Sequence, residues 1–341
     1  MTKKMLSALY LGKKDGAKVV EIDKPEVTGP HDVIVQMHAC GICGSDLHTF
    51  QYDLPKPVVL GHECAGEVSE IGSGVTNVAV GDHVIVDPNF HCGTCRNCRV
   101  GRTNMCENLV ELGVLANGGF AEYLFVPDKF AYKIPSEMDW TTAAITEPLS
   151  CVVHGFMRTK FAPTQTAIVY GAGPIGLLWV YLFRKAGARR IVAVDISSPR
   201  RKAAEQLGAD ITVDPVSEDP AKRMKDESDG WGADVAIEAI GKVETVEKAV
   251  MSLAPGGRAV LMGVAKHDAF AKVSPIAIMA REWEIIGTNS QTHSFIDAIE
   301  ILKSGEFPVR TFVSHEVPLS EILEAFEMNR RGESLKTIVK M

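Results

Sequence analysis

Between Val169 and Gly176 the chain runs Val169-Tyr170-Gly171-Ala172-Gly173-Pro174-Ile175-Gly176, an apolar strand, a glycine turn and the opening of a helix. No other stretch restricts the fold as much. Gly171 permits a tight turn, Gly173 lets a pyrophosphate approach the backbone, and Gly176 lets the helix pack against the strand. The helix that opens at Pro174 and Ile175 then offers free N–H groups and a positive dipole end to phosphate. From Thr166 onward, short β-branched runs alternate with helix-length segments, at Ala167–Tyr170, Arg190–Asp195, Ile211–Val213, Asp234–Glu238, Arg258–Gly263 and Trp283–Gly287. Six such runs with crossover helices predict a doubly wound parallel sheet. The second ends at Asp195, 19 residues after Gly176, where a carboxylate accepts hydrogen bonds from adenosine ribose hydroxyls. A carboxylate within ~4 Å of a 2′-phosphate repels it by several kcal/mol, so NAD is expected over NADP. Arg200 either reaches the same pocket and softens this discrimination, or is a surface charge.

At 341 residues the chain is too long for one ordinary core, so a second domain is expected. The first ~150 residues read as short strands separated by glycine turns, such as Asp32–Met37 and His83–Asp87, and predict a small barrel-like β domain. Two sets of metal-ligating residues lie there. Cys92, Cys95, Cys98 and Cys106 have the ligand type and count of a closed tetrahedral zinc site. Upstream come Cys40-Gly41-Ile42-Cys43-Gly44-Ser45-Asp46-Leu47-His48 and Gly61-His62-Glu63, and downstream Glu147-Pro148. A thiolate, an imidazole and a carboxylate suit zinc with an open fourth position, which chemistry at the metal requires. Taken singly, a His or Glu is usually structural and a Cys usually packs as a small hydrophobe.

Composition excludes other classes. The net charge is −7 and no basic block appears, so neither nucleic acid nor an anionic membrane is an expected partner. Eight cysteines, four of them clustered at zinc spacing, favour a reducing compartment over a disulfide scaffold. Met5–Leu11 is too short for a signal peptide and reads as a first strand. The apolar run Ile175–Phe183 is too short to span a bilayer and reads as a buried helix. A cytoplasmic protein is expected. The charged stretch Ser217–Gly230 reads as a solvated helix and loop. The C-terminal region predicts a strand at Thr311–Val317, a helix at Ser320–Met328 and a strand at Lys336–Lys340.

Five motifs in one order give the chain a family resemblance: Cys43-Gly44-Ser45-Asp46-Leu47-His48, Gly61-His62-Glu63, the cysteine lobe, Thr146-Glu147-Pro148-Leu149 and the loop 171–176. It resembles the zinc-containing medium-chain alcohol dehydrogenase family over essentially its whole length. It is most similar to the polyol (sorbitol-type) and threonine dehydrogenase branches, which also carry Glu-Pro-Leu.

The resemblance implies an α/β protein with a GroES-like β-barrel catalytic domain, residues 1–148 and 289–341, with its structural zinc lobe at 90–108. Residues 149–288 would form a Rossmann NAD-binding domain. It also implies two zinc ions per chain. Cys43 and His62 would bind the catalytic zinc, with Glu63 and Glu147 as carboxylates, one direct and the other through water. The four lobe cysteines would hold the structural zinc, leaving Cys40, Cys64 and Cys151 as bystanders. Ser45 would contact the substrate hydroxyl, His48 would pass its proton toward solvent through the nicotinamide ribose, and Asp46 would orient His62.

The activity implied is NAD-dependent oxidation of a secondary alcohol of a polyol, by a homo-oligomer with a tetramer favoured. Threonine 3-dehydrogenase and 2,3-butanediol-type dehydrogenase are the alternatives. Two departures turn away from sorbitol itself. Ser290 and Gln291 stand where animal sorbitol dehydrogenases carry an Arg-Tyr pair, and Thr49 stands where they carry Tyr. Asn289, Ser290 and Gln291 either bond a sugar alcohol or are ordinary loop residues. A non-catalytic, zinc-stapled NAD-binding sensor is the reading of a different class. Relatives lacking catalytic zinc lose the equivalents of Cys43 or His62, and this chain keeps both.

Overall fold

In the computed structural model, which describes residues 3–341, the alternating apolar stretches of the N-terminal half become short strands. These are β1 (Lys4–Tyr10), β2 (Ala17–Asp23), β3 (Asp32–Gly41), β4 (Val58–Val59), β5 (Glu63–Ile71), β6 (His83–Val86), β7 (Asn89–Phe90), β8 (Val110–Glu111), β9 (Tyr123–Pro127) and β10 (Ala131–Lys133). Four helices interrupt or follow them: α1 (Gly44–Thr49), α2 (Arg96–Arg99), α3 (Trp140–Ala144) and α4 (Thr146–Thr159). Val33, Val35 and Met37 of β3 bury into one core with Val68, Val84, Val86, Leu124 and Val126, as side-chain alternation requires. The expected first strand at Met5–Leu11 is β1, shifted by one residue.

The chain divides into two compact units, one running to Ser150 and resuming at Phe295–Met341, the other spanning Cys151–Ser294. The divisions fall slightly after the expected 148 and 289. Residues 289–294 stay with the second unit, where Gln291 is buried and its Oε1 accepts from Cys151 Sγ at 3.3 Å.

The second unit is built on β11 (Thr166–Tyr170), β12 (Arg190–Val194), β13 (Ile211–Val213), β14 (Ala233–Glu238), β15 (Leu253–Leu261) and β16 (Glu284–Gly287). All pair in parallel, in the order β13-β12-β11-β14-β15-β16. This is the doubly wound arrangement expected of the six β-branched runs, with the order reversing beside β11. The helices are α5 (Pro174–Lys185), α6 (Ser198–Gln206), α7 (Pro220–Asp226), α8 (Val243–Met251) and α9 (Pro275–Arg281). Residues Gly176–Phe183 of α5 are all buried, which explains an apolar run without a polar face. The charged stretch holds α7, although Pro220 and Met224 turn inward. No helix among the described residues is long and apolar enough to cross a membrane.

The C-terminal segment closes the first unit through β17 (His315–Pro318) and β18 (Thr337–Lys340). β18 runs antiparallel to β3, pairing Ile338 with Gly41, Val339 with Cys40 and Lys340 with Ala39. The strand expected at Thr311–Val317 is shorter than its β-branched residues suggested. After Pro308 the backbone winds one helical turn, Val309–Phe312, that buries Phe312 against Phe307 with ring centroids 5.5 Å apart. Tertiary burial overrides local strand preference there.

Candidate active site and metal centres

The lobe is the more local of the two centres. Cys95 caps the N-terminus of α2, and Cys98 follows within that single turn. Sulfur separations are 3.5 Å for Cys95–Cys98, 3.5 Å for Cys92–Cys106 and 4.0 Å for Cys95–Cys106. Four sulfurs bound tetrahedrally to one zinc at ~2.3 Å stand ~3.8 Å apart, whereas a disulfide needs ~2.05 Å. All eight cysteines are free of disulfides. Backbone N–H groups of Thr94 and Cys95 point at Cys92 Sγ, and those of Cys92 and Asn108 at Cys106 Sγ. The amides of Thr94 and Cys95 hold Cys92 down to about 5, while burial and the neighbouring thiol of Cys95 push Cys98 up to about 12. Sulfurs this close cannot all carry charge unless a cation sits among them, so the donor set fits zinc.

The second centre is assembled from separate elements. Cys43 precedes α1, and His62 and Glu63 lie at the start of β5. One ligand atom from each of Cys43, His62 and Glu63 falls within 4.8 Å of the other two. Asp46 is 3% exposed and serves both halves. Its Oδ2 accepts from the Cys43 N–H at 2.9 Å, and its Oδ1 lies 3.5 Å from His62 Nδ1. Burial opposes a charge on His62, but Asp46 and Cys43 outweigh it and lift the imidazole well above its ordinary range. A divalent cation competes for the lone pair that such a proton would occupy. Soft sulfur, imidazole and carboxylate together fit zinc.

Ser45 Oγ stands 3.5 Å from His62 Nε2 and is exposed, as is His48 on the same helix. Glu147, in the first turn of α4, is buried but does not join the 4.8 Å set. Cys40 and Cys64, cross-strand partners in β3 and β5, place their sulfurs 3.9 Å apart beneath the site and also stay outside the set.

Lys336 carried no motif, yet it lies at this centre. It is fully buried, donates to Ile42 O at 2.9 Å and pairs with the Glu63 carboxylate. Burial opposes its charge, but Glu63, Cys43 and Glu147 outweigh that and hold it above the usual lysine range.

In the second unit, Gly171 has φ +97°, and a Cβ on Gly176 would collide with Gly171 O. Nothing approaches a Cβ on Gly173, the residue that caps α5. Asp195 is buried and already anchored, with Oδ2 accepting from Ala172 N–H at 2.9 Å and Oδ1 from Ser197 N–H at 2.8 Å. Its carboxylate thus ties the glycine loop to the end of β12. Arg200 is half-buried on α6. Arg201, which sequence reasoning passed over, bonds Asp195 O at 2.7 Å and pairs with Asp214 at 3.2 Å.

Comparison with known proteins finds a family match in each half of the chain. The alcohol dehydrogenase GroES-like domain family matches residues 29–136, and the zinc-binding dehydrogenase family matches residues 174–304. The chain is 33% identical to L-threonine 3-dehydrogenase of Thermococcus kodakarensis, over 99% of this chain and 98% of that protein. It is also 33% identical to D-xylulose reductase A of Aspergillus oryzae, over 92% of this chain and 91% of the relative. A Sinorhizobium meliloti protein described as a zinc-binding dehydrogenase, solved bound to NADP, superposes with a TM-score of 0.95 at 33% identity, covering 99% of this chain and 100% of that one.

Proposed function

Because the chain belongs to the zinc-binding, GroES-like alcohol dehydrogenase family, in the branch of its polyol and threonine dehydrogenases, we propose that it oxidises a secondary hydroxyl of a polyol or sugar alcohol to the ketone with NAD+. The convergence of Cys43, His62 and Glu63 within 4.8 Å carries this reading. It supplies a mixed donor set separate from the four-thiol lobe, and so supports two zinc ions per chain, one catalytic and one structural.

When bound, a zinc ion there would supply Lewis acidity that eases loss of the hydroxyl proton, and NAD+ would supply the hydride acceptor. Cys43, His62 and Glu63 would hold the metal, Asp46 orients His62, and the buried Glu147 would add a carboxylate through water. Ser45, within reach of His62 on an exposed helix, takes the substrate's hydroxyl hydrogen bond. His48 is exposed on the same helix, where a proton leaves to water. The loop from Gly171 to Gly176 cradles the dinucleotide with Pro174 and Ile175 at the helix mouth. Asp195 disfavours a 2′-phosphate, so NAD is the preferred cofactor; Arg200 on α6 either reaches the same pocket and softens that preference or is a surface charge.

A homo-oligomer, with a tetramer favoured, draws support from β16. It is one of the two outer strands of its sheet and, among the described residues, has one unpaired edge, with Ile285 exposed on it and Ile276 and Met279 exposed on the preceding α9. A second copy of this chain pairing there would cover both. A cytoplasmic, reducing location suits eight cysteines with no disulfide among them.

The test is an NAD-reduction screen over sugar alcohols, L-threonine and butanediols, with and without a chelator. The reading expects NADH formation fastest with a sugar alcohol and its loss on chelation. Turnover confined to L-threonine or butanediol would replace the substrate. One zinc per chain with no NADH from any alcohol would favour a sensor instead.

A further inference from the structure

Glu63 and Lys336 form a buried ion pair, their side chains 1% and 2% exposed. The pair is built rather than incidental. Pairing of β18 with β3, continued by the bond from Ile42 N–H to Thr337 O at 2.9 Å, fixes Lys336 beside the metal centre. A Cβ on Gly41 would strike Glu63 Oε2 and lie 3.0 Å from Lys336 Cε, so glycine leaves the slot in which the pair sits. The ammonium divides its donors between Glu63 Oε1 and Ile42 O. Both Glu63 oxygens lie against the ammonium, Oε1 as a hydrogen-bond acceptor and Oε2 in the ion pair. The same carboxylate supplies the third atom of the Cys43–His62–Glu63 set. One carboxylate therefore serves two cations, a fixed one from Lys336 and the metal.

We propose that Lys336 is a positioning residue that limits the hold of Glu63 on the metal, keeping it a shared, exchangeable ligand rather than a committed one. This rests on the metal reading above. Without the ammonium, a buried carboxylate has only the metal to neutralise it, and the net charge of the site falls by one. The lysine thereby sets how firmly the site grips its ion.

The experiment measures release of zinc to a chelator from the purified holoprotein, and the visible absorption of the cobalt-substituted form. Cys43→Ala identifies the contribution of this centre. Lys336→Met should slow release by about tenfold or more and weaken the cobalt band as coordination rises, while Lys336→Arg, which keeps the charge, should behave as wild type. A smaller slowing, or equal slowing in the arginine variant, overturns the proposal. Should the methionine variant fail to fold, Lys336→Met combined with Glu63→Gln removes both buried charges. Release slower than about tenfold above wild type is expected there, and faster release reveals a committed Glu63 and overturns the proposal. Failure of the metal reading itself is seen separately, as a Cys43→Ala protein that retains the full wild-type zinc content.

Discussion

Asp46 joins the two residues that matter most at the proposed catalytic centre, since its two oxygens face the Cys43 amide and the His62 ring. Replacing it with Asn should lower metal affinity or turnover by roughly 10–100-fold, as loss of an outer partner does elsewhere. Cys43→Ala removes a ligand outright and should cost more than that, about a hundredfold at the least. Dinucleotide binding, carried by the separate loop at 171–176, should remain. Steady-state rates beside a fluorescence titration of NADH check both, and undiminished turnover in the Cys43 variant would end the assignment. These residues were legible in the sequence because each sits in a short motif whose chemistry is local. Lys336 was not, because it lies 273 positions from Glu63 and only strand register brings the two together. Likewise Asp195 was legible as an acid at a strand end, whereas its bonds to Ala172 and Ser197 depend on how the loop closes.

At the level of elements, the parallel sheet could be read almost strand by strand, because buried strands between crossover helices leave continuous apolar runs. The turn at Val309–Phe312 could not, because Thr311 and Val313 favour a strand and only the burial of Phe312 decides otherwise. The junction of β11 and α5 makes the sharpest prediction. Gly176→Ala puts a methyl into Gly171 O, an overpacking that should cost on the order of 1–3 kcal/mol. Because relief requires the loop to open, dinucleotide affinity should fall together with the melting temperature. An alanine variant as stable and as tight-binding as the parent would show that the contact is easily relieved. The cysteine lobe should respond differently. Cys95→Ala breaks the four-sulfur cage without touching Cys43, so folding or assembly should suffer first, measured as one zinc lost per chain and a lowered melting temperature.

For the whole molecule, the edge of β16 is where the proposed self-association is tested. A charge placed there, Ile285→Lys, should oppose strand addition and shift the sedimentation profile toward smaller species, while leaving the four-thiol lobe loaded with zinc. An unchanged profile would move the interface elsewhere. A different consequence follows from the pairing of β18 with β3. The lobe draws all its sulfurs from Cys92–Cys106, so a nascent chain can load that ion as soon as this stretch leaves the ribosome. The other centre cannot gain its balancing ammonium until the entire nucleotide-binding unit has been synthesised and the last strand has threaded home. If Lys336 restrains Glu63 as proposed, an ion arriving during that interval would be gripped more tightly than one arriving at the finished protein. The order of synthesis thus favours capture first and loosening afterwards.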